Sequence, residues 1–174
     1  MVRILGMAAM NDKPSLRWGI AGKPQALFLY YLRSPSNSRP IISGSSADLF
    51  IGTGMISSWF STDILFSRPD AKAQHSIVAI ASSSMQKGAT FANAHCADTS
   101  TKIYDDYSAM YADPRVDIVY VGTPHAMHKR NTLEAIAAGK HVLCEKPMAV
   151  NSKDAREMID AAQKKGVFLM EGKS

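Results

Sequence analysis

Four short apolar runs separated by helix-like segments decide most of what this chain can become. Ser76 to Ala81 reads SIVAIA, Val116 to Val121 reads VDIVYV, His141 to Cys144 reads HVLC and Val167 to Met170 reads VFLM. Mostly apolar along their length, they lack the alternating polar face of a half-exposed strand, which predicts strands covered on both sides. Between them, Met85 to His95, Tyr104 to Ala112, Met127 to Ala138 and a segment from Asn151 or Ser152 to Lys165 read as helices. Gly139 sits where a helix-ending glycine belongs, Asp154 falls in the first turn of the last helix, and Gly166 lies just past its end. Buried strand, helix, buried strand at this spacing is a βαβ unit. Its repetition predicts an α/β fold built on a doubly wound parallel sheet.

Cover for both faces needs enough apolar material, and 174 residues with 46% hydrophobic side chains supply one core and one domain. A charged fraction of 20% excludes the disordered class. No run approaches the ~18 apolar residues of a membrane span, so no membrane partner is expected. The net charge of +5 is spread out: Lys129-Arg130 and Lys164-Lys165 are the only basic pairs, both in helix-like sequence, where a solvated face is the ordinary role. No nucleic-acid partner is expected. Cys96 and Cys144 could form a disulfide, but their surroundings fit thiols of a reducing compartment. Met1 to Lys13 holds one Arg and too short an apolar stretch for a secretory signal, so the expected location is cytoplasmic.

The front of the chain is less regular. Residues 1–15 read as an extension. Leu16 to Ile20 is favoured as the first strand of a domain running over 16–172, and Asp48 to Ile51, which leads directly into Gly52, is the alternative. Residues 23–51 hold three of the eight prolines, six serines and a single acid, Asp48, and are expected to be an insertion.

Three strand ends carry chemistry. Gly52-Thr53-Gly54-Met55-Ile56-Ser57 reads G-x-G-x-x-S before a helix expected over Met55 to Leu65. The first glycine permits a tight turn, the second lets backbone approach a pyrophosphate, and the third position needs a small residue where helix meets strand. The helix start then offers N–H groups to phosphate. By itself this hexapeptide is equally well an ordinary glycine turn. Val116 to Val121 runs into Gly122-Thr123-Pro124-His125-Ala126-Met127-His128, whose histidines can reach a ligand in the crevice beyond a central strand; a surface role for His128 is the plain alternative. Cys144-Glu145-Lys146-Pro147 follows the next strand, and a lysine there can orient a substrate hydroxyl, or simply pair with Glu145 at the surface. After Ile80-Ala81, where an NAD-selective site carries an acid, stand Ser82, Ser83 and Ser84, with Lys87 nearby. Three hydroxyls and a cation suit a 2′-phosphate, so the expected cofactor is NADP. The serines also suit a helix cap.

Taken together, Leu16 to Ile20, Gly52 to Ser57, Gly122 to His128 and the run Ala138-Gly139-Lys140-His141-Val142-Leu143-Cys144-Glu145-Lys146-Pro147 strongly resemble the Gfo/Idh/MocA oxidoreductases. Within that family the chain resembles the NADP-dependent dihydrodiol and D-xylose dehydrogenases. The resemblance implies a Rossmann dinucleotide-binding fold. It implies Lys146 as the catalytic lysine at nicotinamide and substrate with Glu145 beside it, a pyrophosphate loop of Gly52, Thr53, Gly54, Met55 and Ile56, and a nicotinamide side lined by Thr123, Pro124, His125 and His128. It further implies a sugar or cyclic diol as substrate, a homodimer for the full-length form, and a second domain that builds the substrate pocket and supplies an acid/base. That domain is expected to be absent here, leaving a nucleotide-binding half inactive by itself. A non-enzymatic cofactor-binding regulator of the same fold is the alternative, although an intact Glu-Lys-Pro favours the enzyme.

Insertion and missing domain share an expected origin. Gly22-Lys23 can be encoded GGT-AAG and Ile51-Gly52 ATA-GGT, a splice donor and acceptor whose use joins Trp18-Gly19-Ile20-Ala21-Gly22 to Thr53-Gly54-Met55. Gly172-Lys173-Ser174 can likewise hold a donor. Two unspliced introns are expected, with a genuine insertion and truncation as the alternative.

Overall fold

The computed structural model describes residues 45–66, 74–96 and 100–172. Among them, six parallel strands form one sheet: β1 (Ser45–Ile51), β2 (Gln74–Ala81), β3 (Lys102–Tyr104), β4 (Ile118–Val121), β5 (His141–Cys144) and β6 (Leu169–Glu171), in the order β3-β2-β1-β4-β5-β6. The connecting helices are α1 (Met55–Leu65), α2 (Met85–His95), α3 (Tyr107–Tyr111), α4 (His125–Ala137) and α5 (Ser152–Lys165). This is the doubly wound α/β arrangement, with an apolar layer on each face. Val119, Val121 and Val142 pack with Ile136 of α4 and Met158 of α5, while Ile80, Ile118, Tyr120 and Leu143 pack with Ile64 of α1 and Phe91 of α2. All four residues of β4 are buried, which is why their run has no polar alternation. Each large aliphatic side chain so covered contributes ~1.5 to 3 kcal/mol.

Local signals set the ends of the elements. Asn151 caps α5, its side chain accepting from Asp154 N at 2.9 Å, and Gly166 ends it in the left-handed conformation at φ 72°. Lys140 Nζ donates to the carbonyls of Asp113 and Val116, both at 2.8 Å, tying the turn before β4 to the start of β5. Burial lowers the Lys140 pKa.

Two sequence expectations need correction. The first-strand slot, at the centre of the sheet between β2 and β4, is filled by Ser45–Ile51 and not by the favoured Leu16 to Ile20, which lies outside the described residues. Contiguity is the reason: with Ile51 in the ladder, Gly52 N donates to Ala81 O at 3.1 Å and Gly122 N donates to Ile51 O at 2.8 Å, so the strand feeds straight into the glycine turn. The last seven residues of the expected insertion are therefore strand. Second, β3 stands where the start of a helix was expected at Tyr104. Asp106 caps α3 by accepting from Ser108 N at 2.9 Å, so the helix begins only at Tyr107. A three-residue edge strand carries too short a pattern to be read.

His141 links β5 to the segment before β6. Its Nδ1 accepts from Phe168 N at 3.0 Å, and burial lowers its pKa, against a weaker opposing effect of Asp117. A histidine that resists protonation in the folded state leaves the unfolded chain binding more protons, so its contribution is complete above the unfolded value of ~6.5 and is lost as pH falls below it. His141→Asn, which keeps an acceptor but does not titrate, is expected to flatten the fall in urea midpoint measured from about pH 6.5 to 5.

Candidate functional site

At the carboxyl ends of β1 and β4 the sheet changes direction, because β1 is followed by β2 on one side and β4 by β5 on the other. Crevices at such points hold ligands in this architecture. Gly52 has φ 94°, and a Cβ on it would lie 2.6 Å from the Gly122 carbonyl oxygen. It is glycine so that the two loops can touch. Gly54 differs: its φ of −83° and ψ of 178° are ordinary, and a Cβ there would meet nothing within 4 Å. The space beside it is open, as approach by a phosphate requires. Gly54 is also the N-cap of α1, with no side chain capping the helix, so the α1 start is accessible to an anion. Met55 and Ile56 are exposed beside it. Ser57 is fully buried, and a Cβ on Gly122 would come within 2.5 Å of its Oγ, which explains the small residue at the third motif position.

Thr53 reaches toward β2, its Oγ1 lying 3.2 Å from Ser82 Oγ. The three serines divide their tasks. Ser82 is buried, Ser84 caps α2 by accepting from Lys87 N at 3.3 Å, and Ser83 is exposed, accepting from Lys87 Nζ at 3.4 Å. Ser83 and Lys87 are thus a hydroxyl and a cation side by side at the end of β2.

The β4 loop turns its functional groups in two directions. Pro124 and His125 are exposed at the start of α4. Thr123 is buried, its Oγ1 accepting from Asn131 Nδ2 at 3.0 Å. His128 is fully buried, with Nε2 2.7 Å from Thr123 O and Nδ1 2.9 Å from Pro147 O. Neither the solvated face allowed by its sequence nor a side chain open to the crevice describes it.

Beyond β5, Lys146 is exposed. Glu145 instead points inward: Oε1 accepts from Tyr120 OH at 2.9 Å and Oε2 from Lys146 N at 3.2 Å. A Cβ on Gly172 would lie 3.3 Å from Glu145 Oε1. Burial, reinforced by the Glu145 charge, holds the Tyr120 phenol well above its usual range. It remains a hydrogen-bond donor. No disulfide joins Cys144 to Cys96, and burial pushes the Cys144 thiol up to about 12.

Sequence reasoning missed Tyr120, read only as part of an apolar strand, and a cavity of about 670 Å³ beside Ser82 and Ser83, walled by Asp105, Tyr107, Arg130 and Glu134. The capped turn after β3 builds much of that wall. The D-D-Y-S sequence at 105–108 was its only trace.

The sequence pattern of an oxidoreductase family with an NAD-binding Rossmann fold matches residues 49–173. The chain belongs to the Gfo/Idh/MocA family. It is 41% identical over 121 residues to the trans-1,2-dihydrobenzene-1,2-diol dehydrogenase of Sus scrofa, covering 70% of this chain and 34% of that protein. With the D-xylose 1-dehydrogenase (NADP(+)) of Hypocrea jecorina it shares 43% identity over 125 residues, 70% of this chain and 32% of that protein. Among solved structures it is similar to a 3-ketoreductase from Actinomadura kijaniata in complex with NADP, at a TM-score of 0.65 and 27% identity over 74% of this chain and 38% of that one. The chain spans about a third of the length of these curated relatives, and the Gfo/Idh/MocA portion present is the Rossmann domain. Among the described residues no helix is long and apolar enough to cross a membrane.

Proposed function

We propose that the chain is the NADP-binding half of a dehydrogenase that oxidises a CH–OH group of a sugar, with D-xylose favoured, or of a cyclic diol. The observation that carries this reading is the juxtaposition at one sheet edge of an open Gly54, the loop over His125, and an exposed Lys146. Kinship with dihydrodiol and xylose dehydrogenases supports this choice of substrate class. NADP, when bound, supplies the hydride acceptor at its nicotinamide. In this reading the α1 start and the Gly52 to Ile56 loop hold the pyrophosphate, Ser83 and Lys87 hold the 2′-phosphate, and Thr123, Pro124 and His125 border the nicotinamide. Lys146 orients the substrate hydroxyl. His128 and Glu145, turned inward, act on the site through the loops they hold. A second domain completes the substrate pocket, and the full-length form is a cytoplasmic homodimer.

Titration calorimetry with NADP and NAD tests the nucleotide half directly. NADP is expected to bind more tightly, and Lys87→Met to weaken NADP about tenfold, the worth of one charge-assisted contact, while leaving NAD unchanged. Equal affinities for the two cofactors would remove the 2′-phosphate assignment.

A further inference from the structure

Lys146 stands at the centre of a loop held from both sides by buried groups. Before it, Tyr120 OH donates to Glu145 Oε1 at 2.9 Å, and Glu145 Oε2 accepts from the Lys146 backbone N–H at 3.2 Å. After it, the fully buried His128 lies with Nδ1 2.9 Å from the Pro147 carbonyl and Nε2 2.7 Å from the Thr123 carbonyl. Both anchors sit on rigid elements. Tyr120 is the third residue of β4, the strand between β1 and β5, and its ring stacks on Phe60 of α1 at 4.5 Å between centroids. His128 lies in the first turns of α4. Met148 N, next along, donates to Glu171 Oε1 of β6 at 2.7 Å.

We propose that Tyr120 and His128 are positioning residues that together fix the direction in which Lys146 leaves the sheet edge, and that His128 also fixes its loop against the loop over Thr123. The inference deepens the proposed function and rests on its reading of Lys146. An exposed lysine on an unsupported loop samples many directions, and a loop displaced by about 1 Å already forfeits much of the rate that orientation supplies. Here Glu145 links the Tyr120 hydroxyl to the Lys146 backbone. It accepts from Tyr120 on one oxygen and from the Lys146 N–H on the other, and among the ion pairs of the described residues none joins the Lys146 ammonium to a carboxylate, so backbone sets its direction.

The test follows Lys146 itself. In the full 174-residue chain, lysines are reductively methylated with ¹³C-formaldehyde and the Lys146 signal is identified by its loss in Lys146→Arg. Tyr120→Phe keeps the ring stacked on Phe60 and removes only the hydroxyl, and His128→Gln keeps an amide that can reach one carbonyl. Each variant is expected to change the Lys146 signal in the cofactor-free chain, and to reduce the further shift that NADP causes in the parent, with other lysine signals unmoved. Affinity for 2′-phospho-ADP-ribose, which lacks nicotinamide, is expected to stay at the parent value. A cofactor-free Lys146 signal that is the same in parent and both variants overturns the clamp, whatever NADP does. A parent whose Lys146 signal ignores bound NADP overturns the nicotinamide-side reading of that lysine, and with it any positioning role for the clamp.

Discussion

Gly54→Val is expected to lose about 10²- to 10⁴-fold in NADP affinity, the loss of roughly two charge-assisted contacts at 1.5 to 3 kcal/mol each, while melting with the parent chain. The two halves of that expectation come from one observation. Gly54 has a backbone conformation open to any residue, and a Cβ there meets nothing within 4 Å, so a valine side chain occupies only the space a phosphate needs. Gly52→Ala is the internal contrast. There φ is 94° and the new Cβ would lie 2.6 Å from the Gly122 carbonyl oxygen, with Gly122 itself hydrogen-bonded to Ile51 O. Backbone must move, and the alanine is expected to destabilise the fold by about 2 to 4 kcal/mol through left-handed strain and overpacking. Thermal unfolding read beside calorimetry separates the pair: lost affinity at unchanged Tm for Gly54→Val, lost Tm for Gly52→Ala. Parent-like NADP affinity in Gly54→Val would remove the pyrophosphate loop from the proposal.

The 174-residue chain is expected to bind NADP and yet give no useful oxidation of D-xylose or a dihydrodiol. Lys146 stands exposed at the sheet edge. Holding a carbinol carbon against a hydride acceptor supplies ~7 to 11 kcal/mol of barrier reduction, and a general acid/base adds ~10²- to 10⁴-fold. Both require groups facing Lys146 across the substrate. Supplying the remaining two thirds of a relative such as the xylose dehydrogenase, as a fusion after Gly172, is expected to bring turnover. Lys146→Met in that fusion is expected to remove at least ~10²-fold of kcat while NADP affinity holds. NADPH formation by the unfused chain that depends on substrate and disappears in Lys146→Met would show that the Rossmann half catalyses alone.

The legible part of this molecule is the part written in local pattern. Fully buried strands leave continuous apolar runs, so β4 and β5 could be placed by inspection. α1, α2 and the cap and stop of α5 follow from Gly54, Ser84, Asn151 and Gly166, each acting within a few residues of itself. The glycine pattern and the Glu-Lys-Pro sequence marked two of the strand ends that meet at the crevice. What local pattern does not carry is which of two competing segments enters a sheet, since Leu16 to Ile20 and Asp48 to Ile51 are both acceptable strands. That choice lies in ladder continuity through Gly52.

Direction of side chains was equally beyond the sequence. Glu145, His128 and Thr123 have the chemistry of ligand contacts, and in one dimension nothing distinguishes a donor aimed at a cofactor from one aimed at a carbonyl twenty residues away. In the folded chain His128 lies between Thr123 O and Pro147 O, either of which the one N–H of the neutral ring can reach, and Glu145 accepts from Tyr120, because the ends of β4 and β5 and the start of α4 bring those partners within hydrogen-bond distance. Sequence alone determined that this chain forms a parallel α/β sheet with a glycine turn and a lysine at its carboxyl edge, because burial and turn chemistry act on near neighbours. Tertiary structure alone decided which strand fills the centre and which polar groups face the crevice, because those depend on contacts between residues distant in sequence.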